Sequence, residues 1–135
     1  MKQIIKRYYN EIWDKYFEYD LNNLYHITNV MNVDSILING LKCNDEGQIF
    51  FFDNKMFKWN DKEYIVMQHI GANQIFLEKY AIFKINSKGI KTDIINDNVA
   101  EITSIFQFYI NQDVISPKYL KFVGYYPHNY MDGGI

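Results

Sequence analysis

The segment between residues 24 and 52 constrains the fold of this chain most strongly, because three short patterns follow one another there. Leu24–Thr28 is a short apolar run that is typical of a strand. Val33–Asn39 has helical spacing and is followed directly by Gly40, the residue type that most often ends a helix. Gln48–Phe52 is an aromatic-rich run that predicts a second strand. The sequence therefore predicts a strand, a short helix and a second strand in close succession.

The rest of the chain adds further strand patterns and one ambiguous segment. Tyr80–Ile85, Ile102–Ile110 and Tyr119–Tyr126 are rich in β-branched and aromatic residues, so each predicts a strand. Residues 60–76 have a spacing that suits a helix. Strands and helices do not alternate regularly, which predicts an α+β fold. The length of 135 residues fits one domain, residues 1–135.

The N-terminal residues have a wide apolar stripe. Between residues 3 and 18, apolar and aromatic side chains recur every three or four positions, with charged residues between them: Ile5, Tyr9, Ile12, Trp13, Tyr16 and Phe17. This spacing predicts a helix over residues 1–20 that packs on the domain. A helix that binds a partner is the alternative.

Charge and composition exclude several classes of protein. The formal net charge of −2 disfavours a protein that wraps a phosphate backbone, and a single cysteine, Cys43, allows no internal disulfide. No apolar run approaches the roughly 18 residues needed to span a bilayer, and the N-terminus lacks the pattern of a signal peptide. We therefore expect no membrane partner and a cytoplasmic location. The frequent Ile, Asn, Lys, Tyr and Phe suit an AT-rich bacterial or phage genome.

Common catalytic signatures are absent from the sequence. There is no Gly-rich phosphate loop, no G-x-S-x-G and no H-E-x-x-H. His26, His69 and His128 are too widely spaced to form a local metal site, so we predict no metal. Aromatic residues make up 18% of the chain, and such rings either fill a small core or stack on nucleobases and nicotinamide.

Three segments together resemble the first half of ADP-ribosyltransferase domains, including the DNA-targeting bacterial toxins and the RNA 2′-phosphotransferases: Leu24–Thr28, Asp34–Leu41 and Gly47–Phe52. In those families a strand with Tyr-His-x-Thr/Ser precedes a short helix that ends in Ile-Leu-x-x-Gly-Leu and then a Gly-led aromatic strand. Tyr80–Gly89 is similar to their central strand and its turn, and Gln107–Leu120 is similar to their closing motif. The resemblance implies a small domain with a split β-sheet.

The resemblance also implies that NAD is the co-substrate and that ADP-ribose is transferred to a protein, DNA or RNA target. The residues implied in NAD binding are His26, Thr28, Tyr25, Phe51, Phe52 and Lys55. A neutral histidine can hydrogen-bond a ribose hydroxyl, and Thr28 lies two residues on, on the same strand face. Phe50 and Phe52 share one face and Phe51 takes the other, and the sequence leaves open which face meets the nicotinamide. Lys55 and Lys58 are the basic candidates for the phosphates.

The catalytic position departs from the family pattern. The place of the family's catalytic Glu is held by Gln107, which is neutral and cannot act as a base. Three explanations stay open: a relative that only binds, a carboxylate supplied by Glu101, or an introduced Glu→Gln substitution. Gln107 shares a strand face with Tyr109 and alternates with Phe106, Phe108 and Ile110, which favours a site-facing role.

Three functions follow from these observations. The first is an NAD-dependent ADP-ribosyltransferase, for example a bacterial toxin or phage effector. The second is a catalytically silent module of the same fold that binds NAD or a partner. The third is an RNA 2′-phosphotransferase, which is disfavoured because those enzymes use several arginines and Arg7 is the only arginine here.

Overall fold

The computed structural model describes residues 3–55, 80–98 and 104–126, and these form a mostly antiparallel β-structure with one short α-helix, α1 (Val33–Asn39). This arrangement is compatible with the predicted α+β class. The helix predicted for residues 60–76 lies outside the described residues, as do Lys58 and Glu101. Within the described ranges there are ten strands: β1 (Ile5–Asn10), β2 (Lys15–Asp20), β3 (Leu24–Asn29), β4 (Leu41–Lys42), β5 (Ile49–Asp53), β6 (Tyr80–Ile85), β7 (Ile95–Asn96), β8 (Gln107–Ile110), β9 (Val114–Ile115) and β10 (Leu120–Tyr126).

The N-terminal residues form a β-hairpin, so the prediction of a helix over residues 1–20 is wrong. β1 and β2 pair antiparallel over their full length, and Asp14 in the connecting turn has a positive φ. On the inner face the rings of Tyr8 and Tyr19 pack against Phe108 of the main sheet. Aromatic residues favour such a pleated, half-buried ribbon, and its packing on the sheet outweighs the helical spacing of the apolar positions.

The main sheet has six strands in the order β10-β6-β3-β5-β8-β7. One face of this sheet carries the core, together with α1 and the small β4–β9 pair. The fully or nearly fully buried apolar residues of this core are Leu24, Ile36, Leu41, Ile49, Phe51, Ala81, Phe83, Ile85, Phe108, Ile110 and Ile115. Strand alternation explains the set, because residues two apart on β5, β6 and β8 reach the same face.

The pairing between β3 and β5 is much shorter than the pairing of either strand with its other neighbour. β3 pairs with β6 over six residues, and β5 pairs with β8 over four. Between β3 and β5 the register contains only Leu24 opposite Asp53 and Tyr25 opposite Phe52. The sheet therefore consists of two halves, β10-β6-β3 and β5-β8-β7, that are hydrogen-bonded strand to strand at one end only.

Helix α1 ends at Gly40, as the sequence predicts. The φ of Gly40 is +88°, and its N–H donates to the Ile36 carbonyl. A Cβ atom at this position would overlap the carbonyl oxygen of Ile115. Only glycine lets the chain leave the helix and pass this close to β9, and the segment after Gly40 is thereby placed beside the gap between the two half-sheets.

Candidate functional site

A cavity of about 600 Å³ lies where β3 and β5 stop pairing. Its volume falls within the roughly 300–1,000 Å³ typical of small-molecule sites. The lining combines residues from β3, β5, β8, α1 and the segment after Gly40: His26, Ile27, Thr28, Asn32, Ser35, Ile36, Gly40, Leu41, Lys42, Cys43, Asn44, Gln48, Ile49, Phe50, Phe52 and Gln107. We call this cavity the cleft. It brings together His26, Thr28, Phe52 and Gln107, all four predicted from the sequence.

His26 bridges the two half-sheets just beyond the last strand pair. Its Nδ1 lies 2.6 Å from the carbonyl oxygen of Phe50 on β5. Because a carbonyl only accepts, Nδ1 must carry the proton and donate it. Burial lowers the pKa of His26 below its ordinary value, and the bond to Phe50 opposes that shift only in part. The ring is therefore neutral at pH 7, which leaves Nε2 as a hydrogen-bond acceptor.

Thr28 lies on the same face of β3 as His26, as predicted. The two residues stand opposite Phe83 and Ala81 of β6. Thr28 is buried, and its Oγ1 accepts a hydrogen bond from Asn32 Nδ2 at 2.9 Å. Because the Thr28 oxygen already accepts from Asn32, its own hydroxyl proton is directed elsewhere, and the side chain can act as a donor.

The aromatic strand β5 resolves the choice between its two faces. Phe50 and Phe52 line the cleft, whereas Phe51 is fully buried in the core and stacks near Phe108. The structure therefore places Phe51 in the core rather than at the predicted ligand site, and Phe50 lines the cleft instead. Residues from both faces of β3 (His26 and Ile27) and of β5 (Ile49 and Phe50) line the cleft, so it passes through the plane of the sheet.

Two further predicted NAD-binding residues lie away from the cleft lining. Tyr25 alternates with His26 and faces the other side of β3, where Lys84 lies near its ring. Lys55 follows the end of β5 and forms an ion pair with Asp53, whose carboxylate is fully buried. The structure therefore does not bring these two predicted residues into the cleft lining. Tyr25 stands opposite Phe52 of β5 without lining the cavity, and the buried carboxylate of Asp53 holds Lys55.

Lys42 on β4 carries the one charge among the described residues that line the cleft. Its side chain is exposed, so its attraction for an anion is screened by solvent and salt. Sequence reasoning missed Lys42 because only the fold brings residues of β4 and β3 to the same cavity. The other missed lining residues are mostly neutral and polar: Asn32, Ser35, Asn44, Gln48 and the chain's single cysteine, Cys43.

Gln107 opens β8 opposite Phe52 and lines the cleft, as its alternation with buried neighbours predicts. Its Nε2 donates to Oδ2 of Asp97 at 2.8 Å. Asp97 is only 6% exposed, and its backbone N–H donates to the Gln107 carbonyl at 2.9 Å. Sequence reasoning missed Asp97, because nothing in the run Asn96-Asp97-Asn98 indicates that the carboxylate of Asp97 accepts a hydrogen bond from Gln107. Glu101, the other predicted catalytic residue, lies outside the described residues.

Comparisons with protein-family models, with curated proteins and with solved structures found no match to this chain. Among the residues that the structure describes, no three His, Cys, Asp or Glu side chains cluster as metal ligands would. In the same ranges no helix has both the length and the apolar character required to cross a bilayer.

Proposed function

We propose that this protein binds NAD in the cleft and transfers ADP-ribose from it to a macromolecule. One observation carries the proposal: His26, Thr28, Phe52 and Gln107, which come from three strands, line a single cavity between two half-sheets. In an ADP-ribosyltransferase domain with a split sheet, the family resemblance implies that His26, Thr28 and Phe52 hold the dinucleotide. It places Gln107 at the catalytic position.

The lining residues suit the parts of NAD. Phe50 and Phe52 offer apolar ring surface for the nicotinamide or the adenine. The neutral His26 ring supplies an acceptor and Thr28 a donor for ribose hydroxyls. Lys42 supplies positive charge for the pyrophosphate. The family resemblance implied that Lys55 or Lys58 binds the phosphates. We propose that Lys42 binds the phosphates instead.

The reaction breaks the bond between the nicotinamide nitrogen and C1′ of the ribose. The bonding electron pair stays on nicotinamide, C1′ forms a new bond to a nucleophilic atom of the target, and that atom loses a proton to solvent. The chain contributes mainly by holding NAD in a reactive orientation. Gln107 can accept a hydrogen bond from a ribose hydroxyl, but its neutral amide cannot take the proton. We therefore expect slow turnover.

A catalytically silent module that binds NAD is the second candidate, and it is favoured by the neutral Gln107 side chain with its Asp97 contact. An RNA 2′-phosphotransferase is disfavoured, because Arg7 lies over the Tyr16 ring on the outer face of the hairpin and does not line the cleft. We place the activity in the cytoplasm of a bacterium, as a toxin or phage effector, since a lone cysteine fits a reducing compartment.

Cys43 provides the test, because the only thiol of the chain lines the cleft. We expect NAD to slow the reaction of Cys43 with a maleimide, and nicotinamide release to be measurable by chromatography. His26→Ala should weaken NAD protection about tenfold, the loss expected for a buried hydrogen-bonding group. Tyr16→Phe, on the exposed outer face of the hairpin, is the control and should behave as wild type. A wild-type protein that shows neither protection nor nicotinamide release contradicts the proposal.

A further inference from the structure

The contact between Asp97 and Gln107 determines which end of the Gln107 amide is directed toward the cleft. We propose that Asp97 is a positioning residue that holds the Gln107 nitrogen so that the amide oxygen is presented to a ribose hydroxyl of NAD. The proposal rests on NAD binding in the cleft, and it explains why the Gln107 amide has one orientation.

The chemistry of the pair fixes the orientation of the amide. Oδ2 of Asp97 accepts from the Gln107 nitrogen, so the carboxyl group faces the nitrogen end of the amide and not its oxygen. Asp97 is 6% exposed, and turning the amide around would place two oxygens against each other with little water to separate them. The oxygen of the Gln107 amide therefore points away from Asp97.

The backbone holds the two residues at a constant separation. The Asp97 N–H donates to the Gln107 carbonyl at 2.9 Å, and Asn96 Nδ2 donates to the same carbonyl at 3.0 Å. Asn96 also pairs with Phe108 in the ladder between β7 and β8. A side-chain hydrogen bond and a backbone hydrogen bond thus join Gln107 and Asp97, and both are formed before a ligand binds.

This pair explains why glutamine suits position 107. A Gln107→Glu substitution alone would place a second carboxylate against a buried one, and like charges at hydrogen-bond distance cannot both stay ionised. The swap Asp97→Asn with Gln107→Glu keeps one donor and one acceptor across the contact. It moves the carboxylate from the residue that follows β7 to the side chain that lines the cleft.

The test compares wild type, Asp97→Asn, Gln107→Glu and the double swap by Cys43 protection with NAD. Asp97→Asn should weaken NAD binding about tenfold, because the substituted amide can accept from the Gln107 nitrogen or donate to the Gln107 oxygen, so that the charge-assisted bond is lost and the Gln107 amide is no longer held in one orientation. The double swap should return the affinity to within about threefold of wild type. It should also raise the rate of NAD hydrolysis, in which water attacks C1′, nicotinamide leaves with the bonding electrons, and one proton goes to solvent.

Rescue by the swap separates positioning from a merely structural role, because a general loss of packing would not be restored by a second substitution. A wild type that is protected by NAD, with Asp97→Asn equally protected or with a swap as weak as Asp97→Asn, overturns this inference alone. A wild type that NAD does not protect overturns the proposed function as well.

A second measurement covers the case in which Asp97→Asn does not fold. Wild type should bind NAD at least about fivefold more tightly than an analogue that lacks the hydroxyls of the nicotinamide ribose. Gln107→Met, similar in shape but without the amide, should reduce that preference. Equal wild-type affinities for NAD and the analogue overturn the inference.

Discussion

Lys42 determines the electrostatic character of the cleft at the scale of single residues. The other described lining residues carry no charge, and Lys42 extends from β4 with its side chain exposed. A ligand with a pyrophosphate should therefore be favoured over a neutral nucleoside such as adenosine. The preference should be moderate, because solvent screens an exposed lysine.

We expect Lys42→Ala to weaken NAD binding about three- to tenfold and to leave the binding of adenosine, a neutral nucleoside, unchanged. The effect should shrink at about 0.5 M salt, where the Debye length is only a few ångströms. Cys43 protection measures both affinities. Lys121→Ala removes an exposed lysine from β10, which does not line the cleft, and is the control. Equal losses for NAD and the nucleoside would contradict an electrostatic role for Lys42.

The sequence predicts those site residues that lie in one short motif, and it misses those that tertiary structure adds. His26 and Thr28 were found because strand alternation and motif spacing are local properties. Lys42 and Asp97 were not found, because each reaches the site through a neighbouring strand whose partner the sequence does not specify. Lys55 was misassigned because the buried Asp53 that binds it lies outside any recognisable motif.

At the scale of elements, the turn from α1 into β4 depends on glycine. Gly40 has a positive φ together with an extended ψ of 175°, a combination that only glycine adopts readily. Because β4 pairs with β9 directly after this turn, the position of Lys42 and Cys43 beside the cleft depends on it.

We expect Gly40→Ala to lower the free energy of unfolding by about 3 kcal/mol, since strain at φ and overlap with the Ile115 carbonyl act together. Gly47→Ala is the matched control: Gly47 also has a positive φ, but open space surrounds the position of its Cβ. It should cost only about 1 kcal/mol. Urea denaturation measures both values, and equal losses would show that the overlap at Gly40 contributes nothing.

Element types were predicted well where burial and local pattern agree. Helix α1 and strands β3, β6 and β10 have nearly the predicted bounds. The N-terminal hairpin was missed because its apolar residues satisfy two periods at once. The packing of Tyr8 and Tyr19 against Phe108 of the main sheet favours the extended form, and the spacing of the apolar residues does not reveal it.

At the scale of the whole molecule, the N-terminal hairpin packs on the main sheet through the aromatic rings of Tyr8 and Tyr19, which contact Phe108. The Tyr8 hydroxyl donates to the Ile105 carbonyl, and Asn10 is fully buried with its Nδ2 donating to the Ser104 carbonyl at 3.1 Å. Burial raises the pKa of Tyr8 well above its ordinary value, and the nearby Asp53 carboxylate raises it further. The same two causes raise the pKa of Tyr19.

These pKa shifts predict a loss of stability in alkali. Above about pH 10 the unfolded chain releases tyrosine protons that the folded hairpin retains, so the free energy of unfolding should fall as pH rises beyond that value. Below pH 10 both states are protonated, and the two tyrosines should give no pH dependence. Urea midpoints measured between about pH 8 and pH 11 test this.

Tyr8→Phe should make the alkaline decline shallower, because one of the shifted groups is removed. Tyr16→Phe is the control, since Tyr16 lies exposed on the outer face of the hairpin. An alkaline slope that Tyr8→Phe leaves unchanged would show that other groups cause the decline.

The division of the main sheet gives any molecule in the cleft a structural part to play. Two residue pairs and the hydrogen bond from His26 to Phe50 connect the half-sheets, and the cleft occupies the place where a longer ladder would run. A ligand that contacts β3 on one side and β5 on the other would connect the two half-sheets, much as an additional strand between them would. Ligand binding should then change the rigidity of the entire domain, because the ligand connects two half-sheets whose strands otherwise pair at one end only.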